Sequence, residues 1–568
     1  MLALAQKSHP VWGRPLDQYA HAYQLSAFRK NVHGATPRLL AILAAKQIGR
    51  YSDRTDMPDS IDVSEQVTIS TLEAVLKMAE DVDTYKTFLS PRLIGGCITL
   101  MQTVKVSGKT SPFSYEYGYL CFRILLFSLG MQMLSGGNDL ELTMQNMITS
   151  PDIETPLVFS SHVARVVEVQ TDRAVEGFDC DYILGWGPAS NQPVVSPEQA
   201  RALLEIVWSD RANFLKALMS AYTPALSGLL FLLWRYVVLD GARANPPAPN
   251  TDLIQLVMEI YSRCLLVATS DQTAALFGVS DELGVLIFTL GQRIGAFAHT
   301  EDSQIIFEAC IRRLAPSDTR IYAPPNAILV TGLLGFLALC PAPGLDEAHL
   351  SVFNAAVERF WSELTSNKKT PTLLIEGIGL LLKHPRLLLQ ANSRTDVHGQ
   401  SIKTQVLESL VKHDLFDLVA AVLLRLDPNA EEKTTAFHTN TTFLQSVTAT
   451  FEAIGDSLTP SLLESFRGYA TNWLKVEHQI ITLGLCMDLS HDRKASQKRE
   501  RHFGECNDAW LLLARVLQLD LNAEPTGCKF TRCQDPIVIV GLDRRGLGYA
   551  CSKCKAVSYC SVQCQTGD

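Results

Sequence analysis

Hydrophobic residues recur at helical spacing along most of this chain. Between residues 402 and 411, apolar side chains fall three or four positions apart, and the same spacing runs from Leu415 until Pro428 interrupts it. Asp414 stands between the two stretches as a candidate N-cap. The pattern therefore predicts a helical hairpin, in which two helices are joined by a short turn.

Comparable stretches precede and follow this hairpin, whereas the alternation typical of strands is scarce before residue 525. They cover residues 198–219, 252–266, 347–364, 372–383 and 441–454. Successive helical hairpins favour a mainly α fold with an irregular, solenoid-like body of the armadillo or HEAT type. Because no clean repeat signature is present, an irregular helical bundle is the alternative.

Proline and polar residues make the beginning of the chain less regular than its middle. We expect a helical cap over residues 1–110, a helical repeat-like body over residues 111–520, and a small separate module over residues 525–568.

Composition supports a globular body. Of 568 residues, 47% are hydrophobic and 19% are charged, so the chain can bury a large core. No signal peptide is predicted, because the apolar stretch at the start of the sequence is very short. The longest apolar stretches, 226–239 and 327–340, are shorter than the ~20 residues of a membrane span and predict core helices. We expect an intracellular protein of the nucleus or cytoplasm with no membrane partner.

The net charge of -9 makes the chain a poor general binder of phosphate backbones, so no nucleic-acid partner is expected. One basic cluster lies between residues 493 and 501; Asp492 precedes it and Glu500 interrupts it. We interpret it as a solvated helix face or linker, with a nuclear-import signal or nucleic-acid contact as the alternative.

Cysteine pairing near the end of the chain is the strongest chemical signal. Three short-spaced pairs occur there: Cys528 and Cys533, Cys551 and Cys554, and Cys560 and Cys564. Thiolates are soft ligands, and paired cysteines satisfy the tetrahedral preference of zinc. The alternatives are reduced cysteines or the disulfides of a secreted protein, but regular spacing in an intracellular-looking chain favours zinc.

The remaining eight of the 14 cysteines are scattered singly through apolar sequence and predict buried free thiols. They are Cys97, Cys121, Cys180, Cys264, Cys310, Cys340, Cys486 and Cys506. His502 and Cys506 also have a metal-ligand spacing, but a helix-like segment separates them from the cysteine pairs, so we leave them out of the predicted site.

The sequence around the last pairs, Val557-Ser-Tyr-Cys-Ser-Val-Gln-Cys-Gln565, resembles a MYND-type zinc finger. That family has three cysteine pairs and a closing His-x3-Cys, with Tyr-Cys-x3-Cys-Gln at its centre. This chain departs from the family in the wider spacing of its first pair and in the longer gap between Cys533 and Cys551.

In the family, the first and third pairs hold one zinc ion, and the second and fourth hold another. The resemblance therefore implies one complete site formed by Cys528, Cys533, Cys560 and Cys564. Cys551 and Cys554 would form half of a second site, whose closing His and Cys would follow residue 568. We accordingly expect that the natural protein continues or that the gene model was cut short, with a vestigial finger as the alternative.

MYND fingers typically dock proline-containing peptides of partner proteins, often transcriptional co-regulators. The resemblance thus implies a non-enzymatic, zinc-binding interaction scaffold, with neither catalytic nor cofactor-binding residues apart from the zinc ligands. The rival hypothesis is an enzyme whose active site lies in the helical body without a readable motif. A SET-type methyltransferase is disfavoured, because its Asn-His-Ser-Cys stretch is missing. Residues 107–110 predict a surface loop rather than a phosphate-binding loop.

Overall fold

The chain is mainly α-helical, with little sheet, as the sequence predicts. The computed structural model describes residues 7–23, 35–52, 66–150, 155–187, 193–244, 248–289, 300–316, 322, 324–340, 344–366, 372–391, 397–431, 433–466, 469–485, 493–519, 549–550 and 558–559. Two compact units divide the chain: unit one comprises Met1–Ala309 with Asp318–Ala323, and unit two comprises Cys310–Ser317 with Pro324–Asp568. The expected boundaries near residues 110 and 520 stay predictions.

Unit one contains twelve complete α-helices, four short 3-10 helices and a short hairpin within its described residues. The helices are α1 (Leu16–Tyr19), α2 (Ala35–Gly49), α3 (Ile69–Met78), α4 (Pro91–Thr103), α5 (Glu116–Gly136), α6 (Leu140–Thr149), α7 (Thr155–Val175), α8 (Pro197–Ser209), α9 (Arg211–Ser220), α10 (Leu226–Arg243), α11 (Thr251–Val267) and α12 (Ser270–Thr289). The hairpin pairs β1 (Lys105–Val106) with β2 (Lys109–Thr110). The next helix, α13 (Thr300–Leu314), crosses the boundary between the two units.

Helix α5 forms the centre of unit one. It is mostly apolar and buried along nearly its whole length, and α3, α4, α7 and α10 pack around it, as expected for a helix that presents no polar face to solvent. By length and composition it is the one described helix able to cross a membrane, and 89% of its apolar window is buried. Helix α7 approaches it closely, because a Cβ atom added to Gly130 would lie only 2.7 Å from Phe159 Cζ.

A buried ion network within unit one ties α9, α11 and the first turn of α13 together. Asp302 Oδ2 on α13 lies 2.6 Å from Arg211 Nε on α9 and 3.0 Å from Arg263 Nη2 on α11. Glu259 on α11 completes the network, with its Oε2 atom 3.6 Å from Arg263 Nη1. Within the described part of the chain, two guanidinium groups and two carboxylates therefore offset each other's charge in the interior.

The continuous helix predicted over residues 198–219 is wrong, because the chain breaks at Asp210 between α8 and α9. The Asp210 carboxylate accepts hydrogen bonds from Ser111 Oγ (2.7 Å), the Phe113 backbone N–H (2.8 Å) and Asn213 Nδ2 (2.8 Å). Burial nevertheless raises the pKa of Asp210 to about 6. The residue at the break therefore makes hydrogen bonds with a segment about a hundred positions earlier in the chain.

Unit two is also built from helices. They are α14 (Ala327–Leu337), α15 (Asp346–Ser366), α16 (Thr372–Leu381), α17 (Lys383–Ala391), α18 (Val397–Lys412), α19 (Leu415–Leu423), α20 (Thr435–Gly455), α21 (Pro460–Phe466), α22 (Ala470–Leu485) and α23 (Arg493–Val516). Two short strands, β3 (Tyr549–Ala550) and β4 (Ser558–Tyr559), follow them.

The predicted helical hairpin is confirmed as α18 and α19. Asp414 occupies the N-cap position of α19, but its backbone is left-handed (φ 53°) and its side chain makes no capping hydrogen bond. The predicted helices at 252–266, 347–364 and 441–454 correspond to α11, α15 and α20. The stretch at 372–383 ends at Leu381, and the Leu382 carbonyl accepts a hydrogen bond from Thr450 Oγ1 at 3.0 Å.

Candidate zinc module

The predicted zinc ligands flank and follow a short antiparallel hairpin. Strand β3 pairs with β4 so that Tyr549 lies opposite Tyr559 and Ala550 lies opposite Ser558. In the sequence, Cys551 directly follows β3 and Cys560 directly follows β4. Because the strands are antiparallel, the chain leaves β3 and β4 at opposite ends of the hairpin.

All six predicted ligands lie outside the described residues: Cys528, Cys533, Cys551, Cys554, Cys560 and Cys564. Their assignment to zinc therefore stays a prediction. Among the residues that the structure does describe, no group of three or more histidine, cysteine or acidic side chains is arranged to hold a metal ion.

Seven of the scattered cysteines are buried free thiols, which confirms the prediction for these seven. The eighth, Cys486, lies outside the described residues. Burial raises the pKa of Cys180 to about 11 and the pKa of Cys506 to about 12. Such thiols stay protonated near neutral pH, whereas zinc binds the thiolate.

His502 and Cys506, which share a metal-ligand spacing, lie on α23. Cys506 Sγ is 3.8 Å from His502 Nε2, and the Cys506 side chain is fully buried. Burial lowers the pKa of His502. Cys506 therefore belongs to the core of unit two, whereas His502 is half-buried at its edge.

Helix α23, the last long helix before the predicted finger, is held in place by a tryptophan pair. Trp473 Nε1 on α22 donates to the Trp510 carbonyl at 2.9 Å, and Trp510 Nε1 on α23 donates to the Trp473 carbonyl at 3.1 Å. Both indole rings are buried. This reciprocal pair joins the last two long helices of unit two.

The basic cluster forms the first turns of α23. Arg501 is exposed, and Lys498 Nζ donates to the Asn429 carbonyl at 2.8 Å. The cluster thus lies on a partly exposed helix, in agreement with its interpretation as a helix face.

The stretch at 107–110 forms the turn and second strand of the β1–β2 hairpin. Ser107 and Gly108 both have positive φ, 50° and 81°, as a two-residue type I′ turn requires. Both residues are exposed, which agrees with the predicted surface loop.

Comparison with known proteins adds no relative that could identify the site. No protein-family model matches the chain, and no curated protein matches it.

Proposed function

We propose that this protein is a zinc-binding interaction scaffold, in which a MYND-like finger docks short proline-containing peptides of partner proteins. The observation that carries the proposal is the set of three cysteine pairs between residues 528 and 564. The β3–β4 pairing adds support, because zinc fingers commonly place ligand pairs around short hairpins.

In this proposal, Cys528, Cys533, Cys560 and Cys564 hold one zinc ion, while Cys551 and Cys554 supply half of a second site. The opposite chain exits of β3 and β4 suit an interleaved finger, in which the second and third pairs bind different ions. Zinc would contribute most of the folding free energy of the module, about 10–16 kcal/mol by analogy with zinc-finger peptides. The cysteines would fold the module and perform no chemistry.

The packing of unit two supports a solenoid-like body. Helix α14 packs on α16, α16 on α20, and α20 on α23, while α15 packs on both α16 and α18. Contact between a helix and the second helix after it, as between α14 and α16, is what stacked helical hairpins make, and such stacks offer extended binding surfaces. The body would then present or orient the finger in the nucleus or cytoplasm, and one setting is transcriptional regulation.

Selection from a displayed peptide library tests the proposal. The full chain, loaded with zinc, should enrich proline-containing peptides. A synthetic peptide from that set should lose binding when zinc is chelated and when Cys560→Ser is introduced. Ser552→Ala, a change between two ligand positions, should leave binding unchanged. Binding that persists in Cys560→Ser and after chelation would refute a zinc-dependent finger.

A further inference from the structure

The turn that ends α7 in unit one displays a phenylalanine on a fixed backbone. Gly177 has a positive φ of 80°, and its N–H donates to the Ala174 carbonyl at 3.0 Å, while the Phe178 N–H donates to the Arg173 carbonyl at 2.8 Å. These two hydrogen bonds are those of a Schellman cap, which sets the direction of the chain as it leaves a helix. The Phe178 side chain is nevertheless 58% exposed. The cap therefore holds an aromatic ring at a defined place on the surface.

A tyrosine and a valine join this ring at the surface. The guanidinium carbon of Arg173 lies 5.7 Å from the centre of the Phe178 ring and 5.6 Å from that of the Tyr182 ring, so one cation holds both rings. Tyr182 is 42% exposed, and its hydroxyl accepts a hydrogen bond from Gln170 Nε2 at 3.0 Å. Val169, one turn before Arg173 on α7, is 49% exposed. We call Val169, Phe178 and Tyr182 the aromatic patch.

The segment between the two rings is anchored in the interior of unit one. Cys180 is buried, and the Asp181 carboxylate accepts two hydrogen bonds from Arg235 on α10, at 2.6 Å from Nε and 3.0 Å from Nη2. A surface that is already ordered loses little conformational freedom when a partner binds to it. Tyrosine, phenylalanine and arginine are also enriched where proteins contact each other. The aromatic patch therefore has the composition and the rigidity of a docking surface.

Negative charge beside the patch restricts the chemistry of a partner. Glu168, Asp172 and Glu176 follow one another at intervals of four residues, and we call them the carboxylate row. Among the residues that the structure describes, none of the three forms an ion pair, although Arg165 precedes them on the same helix. Burial raises the pKa of Glu168, and the negative charge of Asp172 raises it further. Like charges at this spacing repel one another, so a cation brought by a partner would relieve the repulsion.

We propose that the aromatic patch docks a segment of a partner protein that combines aliphatic side chains with lysine or arginine. The aliphatic groups cover the three members of the patch, and the basic groups face the carboxylate row. Charge complementarity selects this occupant, because an acidic segment would add to the repulsion within the row. The surface lies wholly within unit one, so the inference is independent of the zinc module.

Selection of displayed peptides on the full chain, with counter-selection against the full chain carrying Phe178→Ser, isolates ligands of this surface. The counter-selection removes peptides that bind the finger or any other site. We expect the remaining peptides to carry lysine or arginine together with leucine, isoleucine or valine, and to bind equally well after zinc is chelated. No remaining peptides, or remaining peptides that are acidic or uncharged, would overturn the proposal.

Sedimentation of the full chain alone tests a second copy as the occupant. We expect the same sedimentation for the unmodified chain and for Phe178→Ser at every concentration. A dimer that dissociates in Phe178→Ser would assign the patch to self-association and overturn the proposal.

Fluorescence anisotropy with one selected peptide, synthesised and labelled, locates the contact. Tyr182→Ser should weaken binding at least about tenfold. The double variant Asp172→Asn with Glu176→Gln should weaken binding at least about threefold at low salt and flatten its salt dependence. Because this double variant relieves repulsion within the row, unfolding would not explain its weaker binding.

Ile148→Ser is the matched control, since it changes a side chain on α6 that is also exposed, and it should bind the peptide normally. Unaltered affinity in both Tyr182→Ser and the double variant, or an equal loss in Ile148→Ser, would overturn the proposal.

Discussion

The ion network of unit one gives the sharpest test of how the helical body is held together. Asp302→Asn keeps the shape of the side chain and removes one negative charge. The guanidinium groups of Arg211 and Arg263, whose side chains are 13% and 1% exposed, then lose the negative charge of a carboxylate that lies within 3.0 Å of both. Breaking a buried pair on one side leaves an uncompensated charge in the interior.

The expected cost follows from that burial. Removal of one partner from a buried ion pair typically destabilises a protein by about 3–5 kcal/mol. For a unit of this size, that loss should lower the midpoint of thermal unfolding by on the order of 10 °C. Adding Arg263→Met restores the charge balance, so the double variant should be more stable than Asp302→Asn alone by about 1 kcal/mol or more.

Differential scanning calorimetry of the full chain would measure the transition assigned to unit one. Asp172→Asn, which removes an exposed carboxylate from α7, is the matched control and should change stability by less than about 0.5 kcal/mol. A loss below about 1 kcal/mol in Asp302→Asn, or no recovery in the double variant, would show that the buried charges do not hold these helices.

Three further results are expected. Burial lowers the pKa of His349 to about 4 and of His384 to about 3, so below the ordinary value of 6.5 the unfolded chain binds more protons than the folded one. The free energy of unfolding of unit two should then fall by up to about 1.4 kcal/mol per pH unit for each histidine as the pH drops from about 6.5 to 4. Urea titrations should show a smaller fall in this free energy when both histidines are replaced by Gln. Trp510→Phe removes the indole donor to the Trp473 carbonyl and leaves a small cavity. Denaturation should show that the free energy of unfolding falls by about 2 kcal/mol. A fall no larger than that of an exposed Trp→Phe change would contradict the packing. Cys560→Ser should abolish zinc binding yet leave the helical circular dichroism within a few per cent, because the helices do not depend on the finger; an equal loss of helical signal would contradict separate folding.

The sequence predicts those helices whose apolar residues recur at local helical spacing. The hairpin of α18 and α19 follows directly from apolar residues three and four positions apart. The break at Asp210 was not readable, because its cause is a contact with Ser111 and Phe113, about a hundred positions earlier in the chain. Local spacing carries no information about such a partner.

The cysteine module can be predicted from the sequence, because its spacing falls within a short stretch of the chain. Its six ligands lie outside the described residues, so the sequence pattern still carries that assignment.

Zinc stoichiometry, measured by native mass spectrometry on the full chain, tests the central claim most directly. The account predicts one zinc ion per chain, lost in Cys560→Ser and retained in Cys506→Ser, since Cys506 belongs to the core of unit two. A chain without zinc, or zinc that depends on Cys506 and not on Cys560, would contradict the proposed finger.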